Sequence, residues 1–465
     1  MSSPAPKSQT STAASAPLRF ITVLALGQFA FPLAVAYLPL NLYLTRFYAG
    51  DLKIDIAAVG AVIVIARLFD FIVDPIVGAL ADRFGHAWGR RRTWTLLAVP
   101  ILMAGVAATF MPPQGAGPVY LLVSLFVVYL GWTMGTIAFG AWGAELSGDY
   151  AERTRITGVR QMFALLGILI ASLAPLFTGG GAGSANGFAP LMHALAWIAI
   201  VLTPLSALAL VALVPEPEAV AKGFVSWRKG AMVVARNGPF MRVLASNLLG
   251  SIGGAANVAV VIWFFEKALD LGTLAGVPLI IWLAASIAGA PLWIWLGHRI
   301  SKHNALITSA LCAAAIFAVL AFIPPGQFWL TNFIMVLSGL CGSASATLGA
   351  SIAADVIDLD AMRSRESRAG LLLAFWGMAQ KMADAIGVGL ALAILSTFGF
   401  NANGANDATA ILGLKIAYIA MPIAFSLLSI AFLWRFPLTP ARQRRIRRVL
   451  ERRADRRTTD DPAPR

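Results

Sequence analysis

Three charged residues lie close together in a stretch of sequence that is otherwise apolar. Arg67, Asp70 and Asp74 stand within VIARLFDFIVDPIVGAL, residues 64–80. On a helix, the spacing i, i+3 and i+7 places all three on one face. Two carboxylates one turn apart can take up a proton or chelate a small monovalent cation, so the spacing predicts a cation site. The alternative is an Arg–Asp pair that only joins this helix to a neighbour.

The composition places these charges in a membrane. Hydrophobic residues make up 58% of the 465-residue chain and charged residues 12%, whereas soluble domains carry about 25% charged residues. About twelve apolar stretches are each long enough to span a bilayer as a helix. A charge near the middle of a bilayer costs about 2.5–3.5 kcal/mol. The charged face must therefore line a wet cavity in which the charges compensate one another.

The net charge of +14 reflects membrane topology. Most Lys and Arg residues lie in the N-terminal tail, in the loops after even-numbered helices and in the C-terminal tail. The opposite loops hold only Arg46, Lys53 and Lys267. The positive-inside rule then predicts an integral membrane protein with both termini in the cytoplasm. We expect it to lie in a bacterial inner membrane. Because the basic charge is explained by topology, no nucleic-acid partner is expected. The basic C-terminal tail could in addition bind anionic membrane lipid.

An internal repeat divides the chain into two halves. Residues 144–167 and 354–377 follow the fourth and tenth helices and match at a constant offset. The matched pairs are Ala144 with Ala354, Glu145 with Asp355, Arg153 with Arg363, Arg155 with Arg365 and Gly167 with Gly377. Repeated bundles around a midplane cavity are typical of transporters. The predicted domains are a disordered tail 1–17, a six-helix bundle 18–214, a cytoplasmic loop 215–240, a second bundle 241–436 and a basic tail 437–465.

Two motifs carry a resemblance to a known family. GALADRFG…GRRR (78–92), preceded by RLFDFIVDP, resembles the loop between helices 2 and 3 of the major facilitator superfamily. ADVIDLDAMRSRESRAGLL…QK (354–381) resembles the helix 10–11 region of its glycoside–pentoside–hexuronide:cation symporters, the melibiose-permease group. The resemblance covers about residues 18–436. It implies the major facilitator fold, with twelve transmembrane helices in two six-helix bundles.

The resemblance assigns the coupling-cation site to Asp70 and Asp74, with Lys381 of the opposite half as the ammonium that balances them. A local pair between Lys381 and Asp384 is the alternative. Sodium-using members of the family also supply two neutral oxygen ligands, one from an Asn and one from a Thr. By alignment, Val73 stands here in place of the Asn and Gly135 in place of the Thr. We therefore expect H⁺ as the coupling ion, with Na⁺ the alternative.

The expected substrate residues come partly from the resemblance and partly from polar side chains within apolar helices. Sugar-transporting members grip hydroxyls with two aspartates, which align here with Ala30 and Ala138, whereas Trp142 and Arg160 match family positions near the sugar. The candidates are Arg67, Trp142, Arg160, Gln28, Asn257, Trp376 and Gln380. A pocket with an Arg, a Trp and few carboxylates would suit an acidic sugar, a glycoside with an apolar aglycone or another amphipathic anion.

Charged residues at equivalent helix ends could close the cytoplasmic side. Solvated loops are the simpler interpretation, but the resemblance favours ion pairs between two rocking bundles. The expected gate residues are Asp82, Arg83, Arg90, Arg91, Glu145, Asp149, Arg153 and Arg363.

Together these patterns predict a cation-coupled symporter that imports a sugar, glycoside, uronate or related small solute. It is expected to be a monomer. Its expected partners are a small-molecule solute, a coupling cation and membrane lipid. No metal site or cofactor is expected. The alternatives are an uncoupled facilitator or a lysolipid transporter of the same fold, and a receptor or scaffold that transports nothing. No arrangement of catalytic residues indicates an enzyme.

Overall fold

The computed structural model describes residues 18–84, 89–147, 150–181, 184, 186–217, 227–364, 368–438, 442–446 and 448–449. Twelve helices are long and apolar enough to cross a membrane, as predicted, and the described part of the chain contains no strand. They are α1 Phe20–Leu42, α2 Ile56–Ala81, α3 Arg90–Phe110, α4 Pro118–Glu145, α5 Arg155–Thr178, α6 Ala189–Leu213, α7 Gly238–Ala268, α8 Gly272–Ile300, α9 Lys302–Leu320, α10 Phe328–Ser364, α11 Gly370–Thr397 and α12 Ala408–Leu433.

Polar caps mark where several of these helices begin. The side chains of Asp55, Asn237 and Asp407 accept hydrogen bonds from backbone N–H groups three residues on, at the starts of α2, α7 and α12. Such caps satisfy donors that the first turn of a helix leaves unpaired. A short helix, Trp227–Arg236, lies in the predicted loop between the halves. The tail 1–17 and most of the tail 437–465 lie outside the described residues.

The helices group as the internal repeat suggests. In the first half, α4 packs against both α2 and α3, and α1 packs against α5 and α6. In the second half, α8 packs against α10, and α7 packs against α11 and α12. Between the halves, α2 packs on α11 and α1 on α7. The interface between α2 and α11 therefore joins the charged face of the first half to the helix that carries Lys381.

Equivalent ion pairs hold the ends of each half together on the side where α1 begins and α12 ends, which we call the terminal side. Glu145, at the end of α4, accepts from Arg91 at 2.7 Å. Its repeat counterpart Asp355 in α10 accepts from Lys302 of α9 at 2.6 Å. Positions matched in the sequence thus make matching contacts in the structure.

The other side, which we call the distal side, is closed by contacts between the halves. Arg46 follows α1 and lies 3.1 Å from Glu266 of α7, and the Thr45 hydroxyl donates to the Ala259 carbonyl at 2.9 Å. Farther in, α11 packs closely against α2 at Gly389. A Cβ added at this glycine would lie 2.6 Å from the Val64 side chain of α2, which is too close for a larger residue to fit without a shift.

Asp51 extends this distal closure. Its carboxylate accepts from the backbone N–H of Phe188, at the start of α6, and lies 3.2 Å from Arg46. Burial raises the pKa of Asp51, and its bonds to Phe188 and Arg46 oppose that rise. The carboxylate therefore links α6 to the same arginine that bridges the two halves.

We predict that Gly131→Ala destabilises the protein by about 1–3 kcal/mol, as expected for an overpacked contact. A Cβ at Gly131 of α4 would lie 2.4 Å from the backbone of Leu102 in α3, so the two helices would have to separate. Thermal unfolding in detergent measures the effect. Gly140→Ala is the matched control on the same helix, because a Cβ there meets nothing within 4 Å; equal losses from both variants would contradict the packing argument.

We predict that Glu266→Gln opens the distal side more often. The two side chains of this pair are only 10–11% exposed, and the loss of even about 1 kcal/mol corresponds to about a fivefold shift between two conformations. The readout is alkylation of Leu392→Cys, a fully buried α11 position that faces Gly60 of α2, in a chain without its native cysteines.

The matched control for this experiment is Lys267→Gln. Lys267 lies 3.7 Å from Glu266 but on the same half, so it does not bridge the halves. We expect several-fold faster labelling with Glu266→Gln and little change with Lys267→Gln. Unchanged labelling in both variants would show that the pair does not hold the distal side closed.

Candidate cation and solute site

The predicted cation site is assembled from both halves of the protein. Lys381 of α11 places its Nζ 2.8 Å from Asp70 and 2.5 Å from Asp74 of α2. Asp70 is only 2% exposed. The lysine thus pairs across the interface with both carboxylates, as the family resemblance implied. The alternative of a local ion pair with Asp384 is not the arrangement in the described structure.

A hydroxyl group completes this cluster and corrects one expectation. The Oγ1 of Thr133 in α4 lies 2.8 Å from a carboxylate oxygen of Asp70 and 2.8 Å from one of Asp74. The alignment placed Gly135 where sodium-using members have a threonine, so the oxygen of that threonine was expected to be missing. That expectation was wrong, because Thr133, about half a turn earlier on α4, supplies a hydroxyl oxygen.

Arg67 lies beside the cluster but is held by other groups. Its guanidinium is buried, donates to the Asn41 Oδ1 of α1 at 2.5 Å and lies over the ring of Tyr129, 5.0 Å from the centroid. A cation over an aromatic face is attracted by the ring quadrupole. Arg67 therefore ties α2 to α1 and α4 rather than forming a simple ion pair with its own aspartates.

The charges in this region do not cancel. With every group ionised, the cations Arg67 and Lys381 face the anions Asp70, Asp74 and Asp384, which leaves one negative charge in excess. Uncompensated charge in a low-dielectric interior is costly. A single proton or monovalent cation bound at the aspartates would make the cluster neutral.

A cavity lies next to this cluster, between the two halves. Its volume is about 620 Å³, within the range of about 300–1,000 Å³ that is usual for small-molecule sites. Helices α1, α5 and α7–α12 contribute to its wall. Most of the lining is apolar, and the polar part includes Tyr37, Asn41, Ser251, Asn257, Gln380 and Asp384.

Two of the predicted substrate residues line this cavity. Gln380 accepts a hydrogen bond from the Ser251 hydroxyl at 2.9 Å and donates one to Asp384 at 3.3 Å. Asn257 donates to the Tyr418 carbonyl at 3.0 Å. Both amides are oriented by α7, α11 and α12 and present polar atoms at the cavity wall.

The other five predicted substrate residues lie outside the cavity wall, Arg67 among them. Gln28 donates to the Ser206 carbonyl of α6 at 2.8 Å, and Trp142, which is fully buried, donates to the Pro215 carbonyl at 2.9 Å. Arg160 lies over the ring of Phe139, 4.2 Å from the centroid. Trp376 packs against the apolar cluster at the terminal side.

Three of the predicted gate residues with described side chains, Arg90, Arg91 and Glu145, pair within the first half. Arg90 and Arg91 both contact Glu145, and Arg363 is exposed at the end of α10. Asp149 lies outside the described residues, as do the side chains of Asp82, Arg83 and Arg153.

Sequence reasoning missed several residues of this region. Thr133 and Tyr37 were not among the candidates, and the Arg46–Glu266 contact was not expected. A helical projection of the fourth span would have shown Thr133 as a polar residue in an apolar run. No sequence signal indicates that Arg46 and Glu266 meet, because they are 220 residues apart.

The curated relatives include proteins that are named as transporters, carriers and symporters. The chain is 26% identical to the isoprimeverose transporter of Lactiplantibacillus pentosus over 412 residues, which cover 84% of this chain and 83% of the relative. It is 21% identical to the glucuronide carrier protein homolog of Escherichia coli strain K12, over 86% of this chain and 88% of that protein.

Solved structures show the same fold at low sequence identity. A bacterial homolog of the human lysosomal transporter Spinster, in an inward-facing and unoccupied conformation, matches with a TM-score of 0.70 at 13% identity, over 93% of this chain and 99% of that one. The nucleoside transporter NupG matches with a TM-score of 0.66 at 15% identity, over 90% of this chain and all of that one. Both likenesses establish the major facilitator fold.

The family model described as MFS/sugar transport protein matches residues 25–440, which is nearly the whole membrane region. This match agrees with the twelve helices and with the relatives that are named as symporters. The chain therefore belongs to the MFS/sugar transport protein family, and it is an integral membrane transporter rather than an enzyme.

Proposed function

We propose that this protein is a proton-coupled symporter that imports a sugar or glycoside across a bacterial inner membrane by alternating access. The observation that carries the proposal is the cluster of Asp70, Asp74 and Lys381, in which an ammonium of one half neutralises carboxylates of the other. The excess negative charge of the region calls for one bound cation, and the neighbouring cavity offers room for a small solute.

The cluster couples cation binding to movement because it lies on the interface between α2 and α11. Without a bound proton, Lys381 holds both aspartates and thereby ties the two halves together. A proton on one aspartate removes a charge from that tie and weakens it. The halves can then move relative to each other around the cavity, which is what alternating access requires.

One feature supports H⁺ over Na⁺ as the coupling ion. Val73 leaves an apolar side chain where sodium-using members of the resembled family have an Asn. Sodium would therefore lack that oxygen ligand, whereas a proton needs only a carboxylate. The Thr133 hydroxyl, 2.8 Å from an oxygen of each aspartate, offers an oxygen to sodium, and the Thr133→Val test below distinguishes the two ions.

The orientation follows from the charge pattern of the sequence. With the basic loops and both termini in the cytoplasm, the terminal side is cytoplasmic and the distal side, closed by Arg46 and Glu266, faces the periplasm. The described conformation is then closed toward the periplasm. One relative is named an isoprimeverose transporter and another a glucuronide carrier protein homolog, which supports a sugar or glycoside as the solute here.

We predict that Asp70→Asn combined with Asp74→Asn abolishes uphill accumulation of solute. Neither amide can take up a proton at neutral pH, so a pH gradient no longer drives transport. Accumulation in proteoliposomes with an imposed pH gradient should fall to the equilibrium ratio, while exchange of solute across the membrane can continue.

The matched control for this variant is Asp55→Asn on the same helix. Asp55 is exposed and caps α2, and Asn caps helices about as well as Asp. It should leave accumulation unchanged. Undiminished pH-driven accumulation by the double variant would refute coupling at these aspartates and favour an uncoupled facilitator.

We predict that Thr133→Val keeps proton-driven transport but moves its pH dependence. The variant removes a donor that stabilises the charged carboxylates. A hydrogen bond worth about 1 kcal/mol corresponds to a shift of roughly half to one pH unit in the half-maximal rate, toward higher pH. The measurement is the initial rate of uptake at a series of pH values, with and without sodium.

Thr136→Val is the matched control for this second test. The Thr136 hydroxyl donates to the Trp132 carbonyl of its own helix at 2.8 Å, so the variant should leave the pH profile in place. If the uptake rate of the wild-type protein depends on sodium and the Thr133→Val variant loses that dependence, the choice of the proton is overturned. Thr133 would then be identified as a sodium ligand.

A further inference from the structure

The cavity wall carries one charged side chain among its described residues, and that side chain is Asp384. It lies on α11 one turn beyond Gln380 and is half-buried. The basic side chains Arg67 and Lys381 do not belong to the wall. The electrostatic character of the cavity is therefore set by a carboxylate.

Gln380 orients this carboxylate. The Gln380 Oε1 accepts from the Ser251 hydroxyl at 2.9 Å, which leaves the amide N–H₂ to donate to the Asp384 Oδ1 at 3.3 Å. Among described residues no Lys or Arg lies within ion-pair distance of Asp384, in contrast to Asp70 and Asp74. One carboxylate oxygen thus has a protein donor, and the other can accept from a solute in the cavity.

The positions at which the resembled sugar transporters have their hydroxyl-binding aspartates cannot perform that role here. Ala30 and Ala138 are both buried in packed parts of the first half, and neither lines the cavity. A solute with several hydroxyl groups needs strong acceptors. In this protein the carboxylate in the described cavity wall, Asp384, belongs to the second half.

Aromatic side chains face the same cavity from both halves. Tyr37 of α1 stacks on Trp132, with ring centroids 5.4 Å apart, and lines the wall. Trp282 of α8 lines it from the other half, above Gly342, where a Cβ would lie 2.9 Å from the indole. Aromatic faces pack well against the C–H faces of sugars and against aryl or alkyl groups.

We propose that Asp384, oriented by Gln380, is the main hydroxyl acceptor of the solute site, and that the site takes neutral glycosides and rejects uronates. The proposal rests on the proposed function of sugar or glycoside transport and specifies its solute class. Hydrogen bonds from hydroxyls to a carboxylate are charge-assisted and strong. A uronate would place a second carboxylate in a cavity that has no cation in its described wall, and such a like-charge contact is unfavourable.

The test uses two probes that differ in a single group. Phenyl β-D-glucopyranoside carries a hydroxymethyl group where phenyl β-D-glucuronide carries a carboxylate. The galactoside and xyloside of phenol extend the neutral set to other sugars. Binding to the purified full-length protein is measured by calorimetry. We expect at least one neutral glycoside to bind more than tenfold more tightly than the glucuronide.

The variant for this test is Asp384→Asn, with Asp384→Glu as the conservative comparison. Loss of a charged acceptor should weaken binding of the neutral glycoside about ten- to a hundredfold and reduce the discrimination against the glucuronide. Asp384→Glu should recover part of the affinity. Thermal unfolding and proton uptake on detergent-solubilised protein check that the Asp384→Asn protein is folded and that Asp70 and Asp74 still bind a proton.

Two outcomes would overturn the proposal and leave the proposed function intact. One is a glucuronide that binds wild-type protein at least as tightly as the neutral glycosides do. The other is an Asp384→Asn protein that binds a neutral glycoside with wild-type affinity. A third outcome would separate the two proposals in the other direction. If a neutral glycoside binds in a way that depends on Asp384, but a pH gradient does not drive its accumulation, proton coupling is refuted and the assignment of Asp384 is supported.

Discussion

The pairing of Lys381 with Asp70 and Asp74 is the interaction on which the rest of the structure depends. Each of these charges would be costly alone in a membrane interior, and together they require the two halves to meet at one place. The contact lies on α2 and α11, the helices that form most of the interface between the halves. The need to neutralise charge thus fixes where the halves touch and where they can separate.

Each half is held together by contacts of its own. Close helix crossings such as Gly131 on Leu102 stabilise the first half, and the ion pair of Arg91 with Glu145 joins helices at its terminal end. Lys302 and Asp355 make the equivalent ion pair in the second half. Because these ion pairs lie inside the halves, they need not break in the proposed rocking movement. The distal pair of Arg46 with Glu266 joins the halves, so the same proposal requires that this pair breaks.

Hydropathy and charge spacing predicted the twelve helices and the charged face of α2, because these follow from the cost of burying charge in lipid. The pairing of Lys381 with the aspartates was implied only by the family resemblance. The side-chain environment was less predictable. Thr133 was missed because an alignment assigns a residue to a position without fixing the direction of its side chain. Gln28 and Trp142 are polar residues in apolar helices, yet their polar atoms bind backbone carbonyls of neighbouring segments. Sequence alone does not separate such packing contacts from groups that face a cavity.

The arrangement of α11 has a thermodynamic consequence for transport. Lys381 contacts both aspartates of the candidate cation site, whereas Gln380 and Asp384, on either side of it in sequence, line the neighbouring cavity. In the proposed mechanism, a proton that releases Lys381 from an aspartate changes the field at Asp384 and the position of the helix that bears it. Under the same proposal, a solute bound at Asp384 must in turn change the affinity of the aspartates for the proton by the same factor, because coupling between two sites is reciprocal. One helix therefore suffices to link the two sites, and no separate pathway between them is required.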